Sequence, residues 1–194
     1  MKAVLLAALM PLALAMECDS GKSAGAAPRP GQTQRAPIEI PLWPAELAIA
    51  KPELTGPESR SIGPNRIAGR PVTWIANVER PTMTVYPAQG RNTGAAVLVF
   101  PGGGYSALAF DLEGTEVCDW LTPKGISCIV LKYRVPGSGH HWSKACHCHE
   151  MPKVPMALQD AQRAMNLLRQ RAGDFAIDPH KIGVLGFSAG GLLA

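Results

Sequence analysis

Ile182-Gly183-Val184-Leu185-Gly186-Phe187-Ser188-Ala189-Gly190-Gly191, followed by Leu192-Leu193-Ala194, joins an apolar run to a Gly-x-Ser-x-Gly turn and the first residues of a helix. A short buried strand, that turn and a helix start describe a nucleophile elbow, in which the serine sits on a strained turn with its hydroxyl exposed. The glycines flank a residue forced into an unfavourable backbone conformation, where a Cβ would collide with the neighbouring strand or helix. Taken alone the string also fits a glycine-rich turn without chemistry, so its reading depends on the rest of the chain.

A second glycine run lies upstream. Ala95 to Phe100 reads as a strand buried on both faces, and it feeds directly into Pro101-Gly102-Gly103-Gly104-Tyr105. In α/β-hydrolases a His-Gly-Gly-Gly-type loop after an early strand supplies backbone N–H groups to an oxyanion hole, completed by the N–H of the residue after the nucleophile. Acyl transfer builds negative charge on the carbonyl oxygen, and each preorganised donor lowers the barrier by roughly 3–4 kcal/mol. Ser188 is therefore the expected nucleophile, and Gly103, Gly104 and Ala189 are the expected oxyanion donors.

The segments VLVFPGGGYSALAFDLEGTEVCDWL, IVLKYRVPG, VPMALQDAQRAMNLLR and DPHKIGVLGFSAGG resemble the esterase/lipase branch of the α/β-hydrolase superfamily. Within it they are similar to secreted acetyl-xylan-esterase-like or feruloyl-esterase-like proteins, the "xylanase B-like" group. The resemblance covers about Ile38 to Ala194. Pro101 stands where lipases commonly carry histidine, which favours this esterase branch over relatives of hormone-sensitive lipase. The resemblance implies a serine hydrolase that cleaves acetyl or feruloyl-type esters on plant polysaccharide. Its partner would be a small acyl ester or an acylated polysaccharide, and no cofactor or metal is implied.

The element order supports the same architecture. Val72–Val78 and Thr82–Tyr86 read as two edge strands around Arg80-Pro81. Ala95–Phe100 follows, then a helix over Gly114–Leu121, a buried strand over Ile126–Lys132, and a helix over Pro155–Ala172. On that last helix Met156, Leu158, Ala161, Met165 and Leu168 recur at helical spacing. Lys181–Leu185 then leads into the elbow. Strands alternating with helices predict an α/β-hydrolase fold, with a mostly parallel sheet, right-handed crossovers and helices on both faces.

Chain order also exposes a gap. In this fold the triad runs Ser, then Asp or Glu, then His, and only six residues follow Ser188. A serine without a base stays protonated and weakly nucleophilic. The expectation is an N-terminal part of a longer hydrolase, truncated after the elbow and inactive as it stands, with Asp and His beyond residue 194. His140, His141, His147, His149 and His180 are the only upstream histidines, and none of them is expected to serve as the base; His180, in Asp178-Pro179-His180, enters the elbow strand from its far end. At about 3.3 Å per residue, that places it at the wrong end of the sheet to act as base. The carboxylate of Glu113, in Asp111-Leu112-Glu113-Gly114, is expected to orient the glycine loop by accepting backbone hydrogen bonds.

The chain has 194 residues, 46% hydrophobic and 18% charged, with a formal net charge of +4. This is the composition of a globular domain with a sizeable core. No basic cluster is interleaved with aromatics, so nothing points to nucleic acid. Lys2, the apolar run Ala3–Leu14 and Ala13-Leu14-Ala15 form a signal peptide over 1–15, too short to span a bilayer. Residues 16–37 are rich in Gly, Ala, Pro, Ser and Gln and read as a disordered linker, which leaves 38–194 as the hydrolase part. The expected location is secreted or periplasmic, with no membrane attachment after cleavage. Cys18 invites lipidation, but Glu17 stands before it where a small residue is expected. Five cysteines are odd for an exported protein, and Cys118 and Cys128 read as small buried hydrophobes rather than a disulfide.

One local feature stands outside these motifs: His140-His141-Trp142-Ser143-Lys144-Ala145-Cys146-His147-Cys148-His149-Glu150. Its thiols and imidazoles are ligands that zinc or copper selects, but neither Cys-x2-Cys nor a helical His-x3-His is present. A solvent-exposed loop, a metal site and an intra-loop redox role all remain open. Two other functions compete with the esterase. A prolyl-oligopeptidase-type peptidase would need a propeller that about 90 residues before the glycine loop cannot hold. An inactive or metal-binding secreted protein is the non-enzymatic alternative.

Overall fold

A computed structural model describes residues 35–67 and 69–194. The expected signal peptide, Cys18 and all but the last three residues of the expected linker lie outside the described residues. Ten strands and two α-helices are described: β1 (Ile38–Pro41), β2 (Ser59–Ile67), β3 (Arg70–Ala76), β4 (Thr82–Tyr86), β5 (Ala96–Phe100), β6 (Ala107–Ala109), α1 (Glu116–Leu121), β7 (Ser127–Lys132), β8 (His141–Ser143), β9 (Cys148–Glu150), α2 (Pro155–Gln170) and β10 (Ile182–Gly186).

The main sheet runs β1-β4-β7-β5-β10. Its parallel part is β7-β5-β10, with Gly186 opposite Phe100, while β4 and β1 add two antiparallel strands. The sheet is thus more mixed than strand–helix alternation predicts, because no helix separates β1, β4 and β5. β5 and β7 carry the core: Leu98, Val99, Ile129, Val130 and Leu131 are fully buried, each contributing about 1.5–3 kcal/mol. The α1 residues Val117 and Leu121 lie with Val97 on one sheet face, and Ala161 and Met165 of α2 lie with Phe100 on the other. Val97 and Phe100 differ in strand parity, so the two helices cover opposite faces.

Several expectations change. Neither early strand is an edge. The strand expected at Val72–Val78 is β3, the middle of a separate β2-β3-β6 sheet, and β4 lies between β1 and β7. The sequence hid this because β2, Ser-Arg-Ser-Ile-Gly-Pro-Asn-Arg-Ile, carries Gly and Pro and has no strand signature. On α2 the buried side is Ala157, Asp160, Ala161, Ala164 and Leu168, and Leu158 is 47% exposed.

The cysteine reading is also corrected. Cys118 and Cys128 form a disulfide between α1 and β7, with Cα atoms 5.1 Å apart. They are indeed buried, but packing α1 directly on β7 brings two small buried side chains within bonding reach. Cys146 and Cys148 form a second disulfide, at the tip of a β8–β9 hairpin that is exposed along nearly all of its length.

β10 is paired on one side only among the described strands. Beyond it Val184, Leu185 and Phe187 line an open groove of about 590 Å³, whose far wall includes Val117 and Trp120 of α1.

Candidate active site

The glycine loop and the Ser188 turn leave the same ends of adjacent parallel strands, so the sheet sets them side by side. Phe187 N–H donates to the Phe100 carbonyl at 3.1 Å, which fastens one turn to the root of the other. Ser188 has φ +48°, a left-handed conformation that costs a non-glycine residue energy, and its side chain is exposed. The turn closes because position 190 has no side chain. A Cβ on Gly190 would run into the Phe100 carbonyl and lie 2.7 Å from that of Pro101.

Ser188 lies directly against the loop: a Cβ on Gly102 would sit 2.9 Å from the Ser188 Cβ. Three contacts fix the loop itself. Tyr133 Oη donates to the Pro101 carbonyl at 2.6 Å, Gly102 N–H donates to Glu113 Oε2 at 2.8 Å, and Ala109 N–H donates to the Gly102 carbonyl at 2.9 Å. Burial pushes the Tyr133 hydroxyl far above its ordinary value, with Tyr105 and Glu113 adding to the effect, so it stays a neutral donor. Burial alone would raise the Asp111 carboxyl, but hydrogen bonds from Thr73 and from Leu112 N–H outweigh it and hold it below its usual range. Asp111 thereby ties β3 to the turn that presents Glu113.

The direction of the loop carbonyls decides where its N–H groups point. The Gly102 carbonyl faces Ala109, and the Gly103 carbonyl accepts from Ser106 N–H, Ala107 N–H and Ser106 Oγ at 3.1–3.2 Å. In a trans peptide the N–H opposes the C=O, so the N–H groups of Gly103 and Gly104 point away from that turn. Among the described residues neither of them, nor Ala189 N–H, donates to a backbone carbonyl. Gly103 reaches this geometry at φ +133°, and a Cβ there would strike the Ala107 carbonyl.

The structure therefore brings Ser188, Gly103, Gly104 and Ala189 into one locality, and Glu113 accepts the backbone hydrogen bond expected of it. Among the described residues no histidine, aspartate or glutamate side chain hydrogen-bonds the Ser188 hydroxyl, and the carboxylate nearest the loop, Glu113, is engaged by Gly102 N–H. His180 precedes β10 while Ser188 follows it, and His180 N–H caps onto Asp178 at 2.9 Å. His141 is engaged by the Gly139 carbonyl and Glu150. Among the described residues no group of three or more His, Cys, Asp or Glu side chains is arranged to hold a metal ion.

The places of two side chains were not foreseen from the sequence. His140 lies on the loop, its ring 2.6 Å from where a Gly104 Cβ would stand. Asp160, fully buried on α2, accepts hydrogen bonds from Trp43 Nε1, Arg134 N–H and the Arg134 guanidinium. The second was legible. An aspartate at helical spacing from Ala157, Ala161 and Ala164 lies on the core face, and a charge there needs a partner.

Residues 86–194 match the BD-FAE family. The chain belongs to the BD-FAE family. It is 34% identical over 102 residues to an acetylxylan esterase of Xylanibacter ruminicola and 31% identical over 94 residues to an endo-1,4-beta-xylanase B of Butyrivibrio fibrisolvens. These matches cover 53% and 48% of this chain, and 18% and 13% of the relatives. Among solved structures, an acetyl ester-xyloside bifunctional hydrolase from Caldicellulosiruptor lactoaceticus superposes with a TM-score of 0.54 at 33% identity, over 88% of this chain and 47% of that one. This BD-FAE chain carries part of an α/β-hydrolase fold, and it spans about half that structure and under a fifth of the two relatives.

Proposed function

We propose that the protein is a serine esterase that removes acetyl or feruloyl-type groups from plant polysaccharide, xylan foremost. One observation carries this reading: an exposed serine on a left-handed turn, set directly against a glycine loop whose Gly103 and Gly104 N–H groups donate to no backbone carbonyl among the described residues. Ser188 Oγ attacks the acyl carbon as its proton passes to a histidine base. The carbonyl oxygen takes up negative charge at the N–H groups of Gly103, Gly104 and Ala189. The sugar alkoxide then leaves with that proton, and water hydrolyses the acyl-enzyme. The base and its orienting carboxylate come, in this reading, from chain following Ala194. The acetylxylan esterase and acetyl ester-xyloside hydrolase relatives support the ester and the xylan.

Export is part of the proposal. Residues 1–15 read as a signal peptide, and two disulfides suit an oxidising compartment.

The test compares the 194-residue chain with a chain extended through the reading frame to include a later Asp and His, using 4-nitrophenyl acetate and acetylated xylo-oligosaccharides. The extended chain should turn over both substrates, and Ser188→Ala should lower kcat by roughly 10⁴-fold or more. An extended Ser188→Ala enzyme that keeps its activity would remove Ser188 as nucleophile.

A further inference from the structure

We propose that one face of the β8–β9 hairpin is a sugar subsite, stacking the pyranose ring of the alcohol from which the acyl group is removed. The antiparallel register pairs Trp142 with His149 and His141 with Glu150. Side chains alternate across strands, so His140, Trp142 and His149 share one face while His141 and Glu150 occupy the other. The aromatic face is already assembled. The His140 and His149 rings stack at 4.9 Å with planes 12° apart, and Trp142 meets His149 edge-on at 5.0 Å.

Both ends of this row have meaning. The inner end is built onto the oxyanion loop: the His140 ring occupies the space a Gly104 side chain would need, and Gly137 N–H, at the hairpin's root, donates to the Ser106 carbonyl at 2.8 Å. The outer end is open, with Trp142 53% exposed. The Cys146–Cys148 bridge closes the ribbon next to His149, which limits how far the face can rearrange.

Size selects the ligand. An acetyl group whose carbonyl oxygen lies at the Gly103 and Gly104 N–H groups has one further carbon, and it touches at most the ring resting on Gly104. His149 and Trp142 are left for the other half of the ester. A xylopyranose carries no hydroxymethyl group, so its flat C–H face suits an indole, while its ring-edge hydroxyls suit imidazole nitrogens. The esterase reading underlies which half of the ester lies here, but binding itself needs no turnover.

The experiment titrates xylotriose into the 194-residue chain, following heat and tryptophan fluorescence. Saturable binding is expected, weakened at least about fivefold by Trp142→Ala, largely restored by Trp142→Phe, and unchanged by Ser188→Ala. Trp142 is exposed, so the variant should keep the wild-type circular dichroism and melting temperature. Absence of xylotriose binding, or equal binding by wild type and Trp142→Ala, overturns the subsite. Ser188-dependent hydrolysis by the extended chain with no xylotriose binding would sink the subsite and leave the esterase. Trp142-dependent binding with Ser188-independent hydrolysis would do the reverse.

Discussion

Replacing Asp160 by asparagine tests what holds the frame behind the glycine loop. Every group facing this carboxylate is a donor: Trp43 Nε1 at 2.9 Å, Arg134 N–H at 3.0 Å, Arg134 Nε at 2.8 Å and Arg134 Nη2 at 2.6 Å. An asparagine presents an NH₂ to donors in either orientation, and it leaves the guanidinium of Arg134, 1% exposed, charged without its counterion. Breaking such a buried pair costs about 3–5 kcal/mol, about a fifth or more of the roughly 5–15 kcal/mol that holds a typical domain. At about 2–4 °C per kcal/mol for a chain of this size, the melting midpoint should fall by roughly 6–20 °C in far-ultraviolet circular dichroism. The double variant Arg134→Met/Asp160→Leu removes both charges but leaves Trp43 Nε1 and the residue-134 N–H without their acceptor, so it should recover part of the loss. The damage should reach the loop. Arg134 also holds the Ala50 carbonyl at 2.7 Å, and its neighbour Tyr133 holds the Pro101 carbonyl. A drop below about 2 °C for Asp160→Asn, or a double variant less stable than the single one, would refute this account of the pair.

Three further outcomes follow from the same geometry. Glu113→Ala releases Gly102 N–H from a charge-assisted bond worth about 1.5–3 kcal/mol, so its amide exchange by NMR should quicken about 10- to 100-fold while distant amides do not change; an unaltered Gly102 rate would separate Glu113 from the loop. The disulfide Cys118–Cys128 closes a ten-residue separation, worth about 2–3 kcal/mol in unfolded-chain entropy. The Cys118→Ala/Cys128→Ala variant should lose that much in urea titration, and no change would contradict it. Asp111 is held below its ordinary value near 3.8, so its contribution is full above that pH and is lost as pH falls through the lowered folded value. Wild type should therefore exceed Asp111→Asn in stability at neutral pH, with the two converging in acid; a gap that persists unchanged into strong acid would exclude this linkage.

What could be read in the sequence was whatever is local along the chain. Gly186 to Gly191 and Pro101 to Tyr105 each carry their geometry in their own residue types, because a left-handed serine and a backbone packed against a carbonyl both demand glycine neighbours. β5 and β7 were legible because burial on both faces leaves only apolar residues. Pairing across long separations was not legible. β2 has the composition of a loop and is a strand only because β3 offers it partners, while the register placing His140, Trp142 and His149 on one face appears only once β8 meets β9. Cys118 and Cys128 looked like core residues and are core residues; contact between α1 and β7 turned them into a bond. The chemistry divides the same way. The proposed nucleophile and donors are written into two short motifs, whereas the proposed sugar face is a surface that exists only after folding. Substrate preference should therefore vary with the hairpin while Ser188 and the glycine loop keep the same reaction. Exchanging Trp142–His149 between relatives, with His140 kept on Gly104, ought to move xylotriose affinity without moving the hydrolysis of 4-nitrophenyl acetate by the extended chain.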